Sequence, residues 1–180
     1  MNRENLWAPW RMAYLRDLDR RAEERRDRAT VDASPCFLSA YWAAPDRDVE
    51  HLVVHRDAHG MILLNRYPYA NGHLLVALGE PRGRLLDYDD GQRAALWSLV
   101  DHATRLVEAT LHPQGVNIGV NQGAAAGAGV PEHLHAHVVP RWAGDTNFMS
   151  VVGDLRVIPE ALESMAAQYR EAALALRSEG

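Results

Sequence analysis

Between Glu132 and Trp142 the chain reads Glu-His-Leu-His-Ala-His-Val-Val-Pro-Arg-Trp, with His133, His135 and His137 two residues apart and Leu134, Ala136 and Val138 between them. In an extended strand successive side chains point to opposite faces, so the three imidazoles share one face and the apolar residues share the other. A helix would scatter positions two apart. The pattern predicts a strand that buries its apolar side and carries a row of nitrogen ligands or nucleophiles on the other.

The flanking sequence predicts an α+β setting. His51–His55 and Met61–Leu64 read as strands around the turn at Asp57-Ala58-His59-Gly60, and His73–Leu78 reads as a third strand after the turn-forming run Asn65–Gly72. These three are expected to form an antiparallel meander. Asp89 and Gln92 have capping-box spacing, and Leu96, Leu99, Val100, Ala103 and Val107 recur at three- and four-residue steps. They predict a helix over 90–111 with one buried face, ended by His112-Pro113. His102 on this helix reads as a surface or packing residue.

Val116–Val120 is a fourth strand, and the histidine strand returns beside it after a glycine-rich loop. Pro159 suits the first turn of a last helix with Leu162, Met165, Ala166, Tyr169 and Leu176 on one face. The expected architecture is an antiparallel sheet of about five strands with two main helices packed against it.

A catalytic domain over 31–180 is expected after an N-terminal arm and charged linker over 1–30. Within the arm, Leu6–Leu15 carries Trp7, Trp10 and Tyr14, residues suited to packing on their own domain or across a subunit boundary. Arg16–Arg28 mixes charges of both signs, which fits a solvated helix or linker better than a basic binding patch.

A net charge of −5 argues against a general field for nucleic acid or membranes. None of the 19 basic residues is Lys, which excludes a phosphate-loop lysine, a Schiff base and a lysine-linked nucleotidyl intermediate. The single cysteine, Cys36, rules out an intramolecular disulfide and fits a reducing cytoplasm. Met1–Arg11 lacks the apolar run of a signal peptide, and no stretch approaches a membrane span. A cytoplasmic protein is expected.

Three readings compete for the histidine row: metal ligands, a nucleophilic imidazole with neighbours that orient it and bind oxygens, or surface histidines without a role. Strict alternation of three disfavours the last. The preceding loop, Asn121–Pro131, holds Gly123, Gly127 and Gly129, which allow backbone N–H groups to converge on an anion. A metal site would call for carboxylates or thiolates, and the loop offers none before Glu132. Phosphate chemistry is therefore favoured over metal chemistry.

His133-Leu134-His135-Ala136-His137-Val138-Val139 resembles the histidine triad pattern, in which three histidines alternate with apolar residues. Met61–Val76 is similar to that family's nucleotide-binding strand pair. Leu6–Met12 and Pro140–Phe148 resemble a bacterial subgroup of diadenosine tetraphosphate phosphorylases. The resemblance covers nearly the whole chain, with Arg16–Arg28 as the main gap.

By position, the resemblance implies that His135 is the nucleophile attacking the α-phosphorus of a nucleotide. It implies that His137 and His133 hold phosphate oxygens and orient the central ring, that Asn65 contacts the ribose, and that Asn121 or Gln122 with Gly129 contacts phosphates. His73 matches a histidine before the third strand, with a structural role at least as well supported. The implied activity is nucleotidyl transfer through a histidine intermediate on a dinucleoside polyphosphate, foremost phosphorolysis of diadenosine tetraphosphate to ADP and ATP. Hydrolysis of dinucleoside polyphosphates or nucleoside phosphoramidates to AMP is the alternative, and nucleotide binding with little turnover is another.

No cofactor is required for this chemistry, and Mg2+ can enter with the nucleotide. Many members carry a structural zinc held by a Cys-x-x-Cys pair, a His after the third strand and the first triad His. Here Cys36-Phe37-Leu38-Ser39 offers one thiol and Pro81 stands near the downstream His position, so zinc is expected to be absent. The family also implies a homodimer whose sheets pair edge to edge.

Overall fold

Alternation along the strands sorts the core into two layers on either side of one sheet. The computed structural model describes residues 36–145 and 160–178; the N-terminal arm, Pro159 and the Thr146–Phe148 stretch lie outside the described residues. Strands β1 (Val53–Arg56), β2 (Gly60–Leu64), β3 (Leu74–Leu78), β4 (Gly115–Val120) and β5 (His135–Arg141) are antiparallel throughout, in the order β1-β2-β3-β5-β4. The expected meander is β1-β2-β3. The histidine strand lies between β3 and β4, and the glycine-rich loop joins it to its neighbour.

One face buries Ile62, Leu64, Leu74, Val76, Ala136 and Val138 against two long helices. Helix α2 (Asp90–Leu111) presents Leu96, Leu99, Val100, Ala103, Leu106 and Val107 to this layer. Its start is fixed reciprocally, as Gln92 N donates to Asp89 Oδ1 (2.8 Å) and Asp89 N to Gln92 Oε1 (3.0 Å). It ends at His112, whose φ of 46° is left-handed. Helix α3 (Leu162–Ser178) adds Met165, Ala166, Tyr169 and Ala173. Among the described residues, no helix is long and apolar enough to cross a membrane.

The opposite face carries Val53, Met61, Leu63, Leu75 and Ala77, covered by Leu38 of a short helix, α1 (Phe37–Trp42). Nothing in the hydrophobic pattern marks this six-residue helix. It is fastened from the sheet side, where Arg56 donates to the Tyr41 and Trp42 carbonyls (3.0 Å each) and pairs with Asp48. Leu38 has no exposure, and burial of one such side chain stabilises by about 2 kcal/mol.

The strand expected over His51–His55 instead begins at Val53. Asp48 O accepts from Val53 N (2.8 Å), closing a turn that extends through Leu52, where φ reaches 58°. His102 is half-buried on α2, with its ring 4.2 Å from that of His55.

Gly72 leads into β3 with φ 75°, and its carbonyl accepts from the buried Tyr169 hydroxyl (2.8 Å). A Cβ there would lie 2.5 Å from that hydroxyl and 2.3 Å from Leu111 Cδ1. Gly72→Ala is expected to cost about 3 kcal/mol, combining left-handed backbone strain with overpacking. Urea unfolding tests this, and an unchanged midpoint would show that the corner relaxes without cost.

Candidate active site

The β3–β5 register sets His135 opposite Ala77 and His137 opposite Leu75, on the face covered in part by α1. Leu134, Ala136 and Val138 turn into the helical layer, so the alternation divides chemistry from core within one strand. His135 is buried at 4% exposure and His137 is half-buried; their ring centroids are 5.0 Å apart.

Hydrogen bonds assign the proton on each ring. His135 Nδ1 lies 2.9 Å from the His133 carbonyl, which can only accept, so Nδ1 carries the hydrogen and Nε2 keeps its lone pair. The Tyr69 amide donates to His73 Nδ1 (3.1 Å), and Asn65 Nδ2 lies 3.2 Å from the same atom. The His73 proton is therefore on Nε2, 3.0 Å from His137 Nδ1. His137 accepts there, which puts its own hydrogen on Nε2. Burial, then the neighbouring His135, lowers the His137 pKa to about 4, so the ring is a neutral donor at physiological pH.

His133 precedes the paired part of the row. The strand begins at His135, and His133 just ahead of it has no exposure beneath α1. Its Nε2 donates to the Leu78 carbonyl (2.7 Å), while Nδ1 lies 3.3 Å from both Cys36 Sγ and Ser39 Oγ. Burial foremost holds its pKa below the ordinary value, with the Leu78 bond opposing.

Asn65 sits at the end of β2, opposite His73. Its Oδ1 accepts from Tyr67 N (3.0 Å), so both ends of its amide help shape the Tyr67–Tyr69 loop. Asn121 and Gln122 follow β4, and Gln122 Oε1 accepts from Leu85 N (2.9 Å). Gly123 and Gly127 take φ values of 82° and 85° around a 3-10 turn, whereas Gly129 is outside the left-handed region. The amides of Ala126, Gly127 and Ala128 close onto the carbonyls of Gly123 and Ala124, so these three brace the loop. The sequence signal for His73 is its place one residue before β3. Its partner is 64 residues away and is set by strand register.

A row of buried and half-buried histidines linked by hydrogen bonds, on the sheet face opposite the main helices, defines a site of the histidine triad type. The HIT domain model matches residues 46–144, and the chain belongs to the HIT family. It is 39% identical over 160 residues to the AP-4-A phosphorylase of Mycobacterium tuberculosis, spanning 88% of this chain and 78% of that protein. It is 30% identical over 93 residues to the asymmetrical bis(5'-nucleosyl)-tetraphosphatase of Schizosaccharomyces pombe, spanning 52% of this chain and 50% of that protein. Among solved structures, a Zn-bound histidine triad family protein from Mycobacterium smegmatis superposes with a TM-score of 0.64 at 28% identity. That match covers 78% of this chain and 96% of that one.

The residues present do not fit a structural zinc. Cys36 supplies one thiol and His133 one nitrogen, Ser39 a neutral hydroxyl, and Pro81 no side-chain donor. Tetrahedral zinc calls for four strong ligands. Among the described residues, no group of three His, Cys, Asp or Glu side chains could hold a metal ion.

Proposed function

We propose that this chain transfers a nucleotidyl group through His135 and acts on diadenosine tetraphosphate as a phosphorylase. The observation that carries the reading is the complementary protonation of two adjacent rings, a lone pair on His135 Nε2 beside a hydrogen on His137 Nε2. In the first step Nε2 of His135 attacks an α-phosphorus. A phosphorus–nitrogen bond forms, the phosphorus–oxygen bond to the departing ATP breaks, and His137 Nε2–H hydrogen-bonds the oxygen that gains charge. In the second step an oxygen of inorganic phosphate attacks the same phosphorus. The phosphorus–nitrogen bond breaks, its electron pair returns to Nε2, and ADP leaves.

With both ring nitrogens of His133 engaged inside the protein, the phosphate contacts in this scheme fall to His137, and His133 acts through its carbonyl. Asn65 remains the candidate for the ribose, and Asn121, Gln122 and Gly129 for the phosphates. The similarity to the M. tuberculosis AP-4-A phosphorylase supports phosphate as the acceptor. The similarity to the S. pombe tetraphosphatase supports the second reading, in which water is the acceptor. Product analysis separates them. With diadenosine tetraphosphate and phosphate, ADP and ATP are expected in equal amounts; AMP with ATP, irrespective of phosphate, would replace the phosphorylase with a hydrolase.

The accompanying proposal is a cytoplasmic homodimer. Among the described residues the outer strand β4 pairs on one side only, and its residues are half-buried or exposed.

A further inference from the structure

We infer that Cys36, Ser39 and His133 form a metal-independent hydrogen-bonded latch that fixes the His135 ring through the His133 carbonyl. The three polar atoms make a closed triangle: Sγ to Oγ 3.2 Å, Sγ to Nδ1 3.3 Å and Oγ to Nδ1 3.3 Å. The tautomer follows from the far side of the ring, where the Leu78 carbonyl takes the Nε2 hydrogen at 2.7 Å. Nδ1 is therefore an acceptor. Two hydrogens satisfy the cluster without any ion: the Cys36 thiol donates to Ser39 Oγ and the Ser39 hydroxyl donates to Nδ1, leaving the Sγ–Nδ1 edge as a packing contact.

The position of this triangle gives it a role. Cys36 caps α1 and Ser39 lies in its first turn, and the helix lays Leu38 on Met61, Leu63 and Ala77. His133 stands two residues before the nucleophile, and its carbonyl is the acceptor that keeps the hydrogen on His135 Nδ1. A ring held at both nitrogens fixes the His133 backbone, and that backbone fixes which nitrogen of His135 can attack. Ser39 is thus a positioning residue. One thiol and one imidazole are too few to hold zinc, and neutral hydrogen bonds here join α1 to the start of β5 without a bridging ion.

The test uses the full chain and the variants Cys36→Ser, Ser39→Ala and Ser39→Thr. Purified wild-type protein is expected to hold far less than one zinc per chain, and a chelator to leave Tm and kcat unchanged. Cys36→Ser replaces the thiol with a hydroxyl that can still donate at a helix N-cap, where serine is favoured, and is expected to hold kcat within about twofold. Ser39→Ala is expected to lower kcat about tenfold with KM unchanged, and Ser39→Thr to restore it. Imidazole nitrogen spectra should show His135 hydrogen-bearing at Nδ1 in the wild type and shifting toward Nε2–H in Ser39→Ala.

Stoichiometric zinc whose removal by chelator or by Cys36→Ser collapses Tm would overturn the latch. So would a Ser39→Ala protein with unchanged kcat and unchanged His135 tautomer. If Ser39→Ala does not fold, Cys36→Ser and the zinc content decide. The kcat arm rests on the nucleotidyl-transfer reading. A wild type inactive on every dinucleotide would remove that reading, and the zinc, Tm and tautomer measurements would still judge the latch.

Discussion

His135→Ala is expected to lower turnover of diadenosine tetraphosphate by at least about 10^4-fold, because it removes the only atom proposed to bond with phosphorus. The wild-type protein, mixed rapidly with substrate and quenched in base, should yield an acid-labile adenylyl adduct on the peptide containing His135; the variant should not. His135 sits at the start of a strand whose stability comes from Leu134, Ala136 and Val138 on the other face, so the variant is expected to fold. Turnover within tenfold of wild type, with no adduct in either protein, would exclude a covalent route through this residue.

Stability is expected to fall as pH drops from about 6.5 to 4. Burial, reinforced by His135, brings His137 down to about 4 in the folded protein, whereas an unfolded chain titrates near 6.5. Across that interval the unfolded chain holds a proton that the folded one refuses, so unfolding gains as pH falls. The contribution is complete above about pH 6.5 and is lost progressively toward pH 4, by on the order of 3 kcal/mol. His133, also depressed by burial, acts in the same direction. Urea midpoints at pH 7 and 4.5 measure the combined slope, and His137→Asn isolates one share of it. If that variant retained the full slope, the His137 assignment would fail.

The period of two along 133–139 implies the burial of Ala136 and Val138 from residue types alone, because a paired strand leaves no choice of face. Helix α2 is equally legible, since its capping box and its buried stripe agree on the same start and the same side. His133 keeps to the side of the other two histidines ahead of the ladder, with its Nδ1 against Cys36 and Ser39 of α1, but partners 97 and 94 residues away cannot be read from the row itself. Helix α1 is invisible in the sequence because six residues cannot display a helical period, and its hold comes from Arg56, 14 and 15 residues away from Trp42 and Tyr41. The His73–His137 pair is hidden for a related reason. Two histidines 64 positions apart meet only after β3 is registered against β5, and their proton arrangement depends on a loop amide at Tyr69.

The Tyr169 hydroxyl links helix α3, through Gly72 and His73, to the His137 ring that is proposed to meet the departing oxygen. Burial pushes that phenol well above its usual range, so it remains a donor throughout neutral and mildly alkaline conditions. It grips the Gly72 carbonyl, and the next residue, His73, hands its hydrogen bond to His137. Helix α3 is thus coupled, through two hydrogen bonds and one peptide link, to the proposed donor. On the proposed reaction, fraying of α3 would mis-set that ring while the sheet itself was still intact, so substitutions in this helix are expected to change turnover without touching a single histidine.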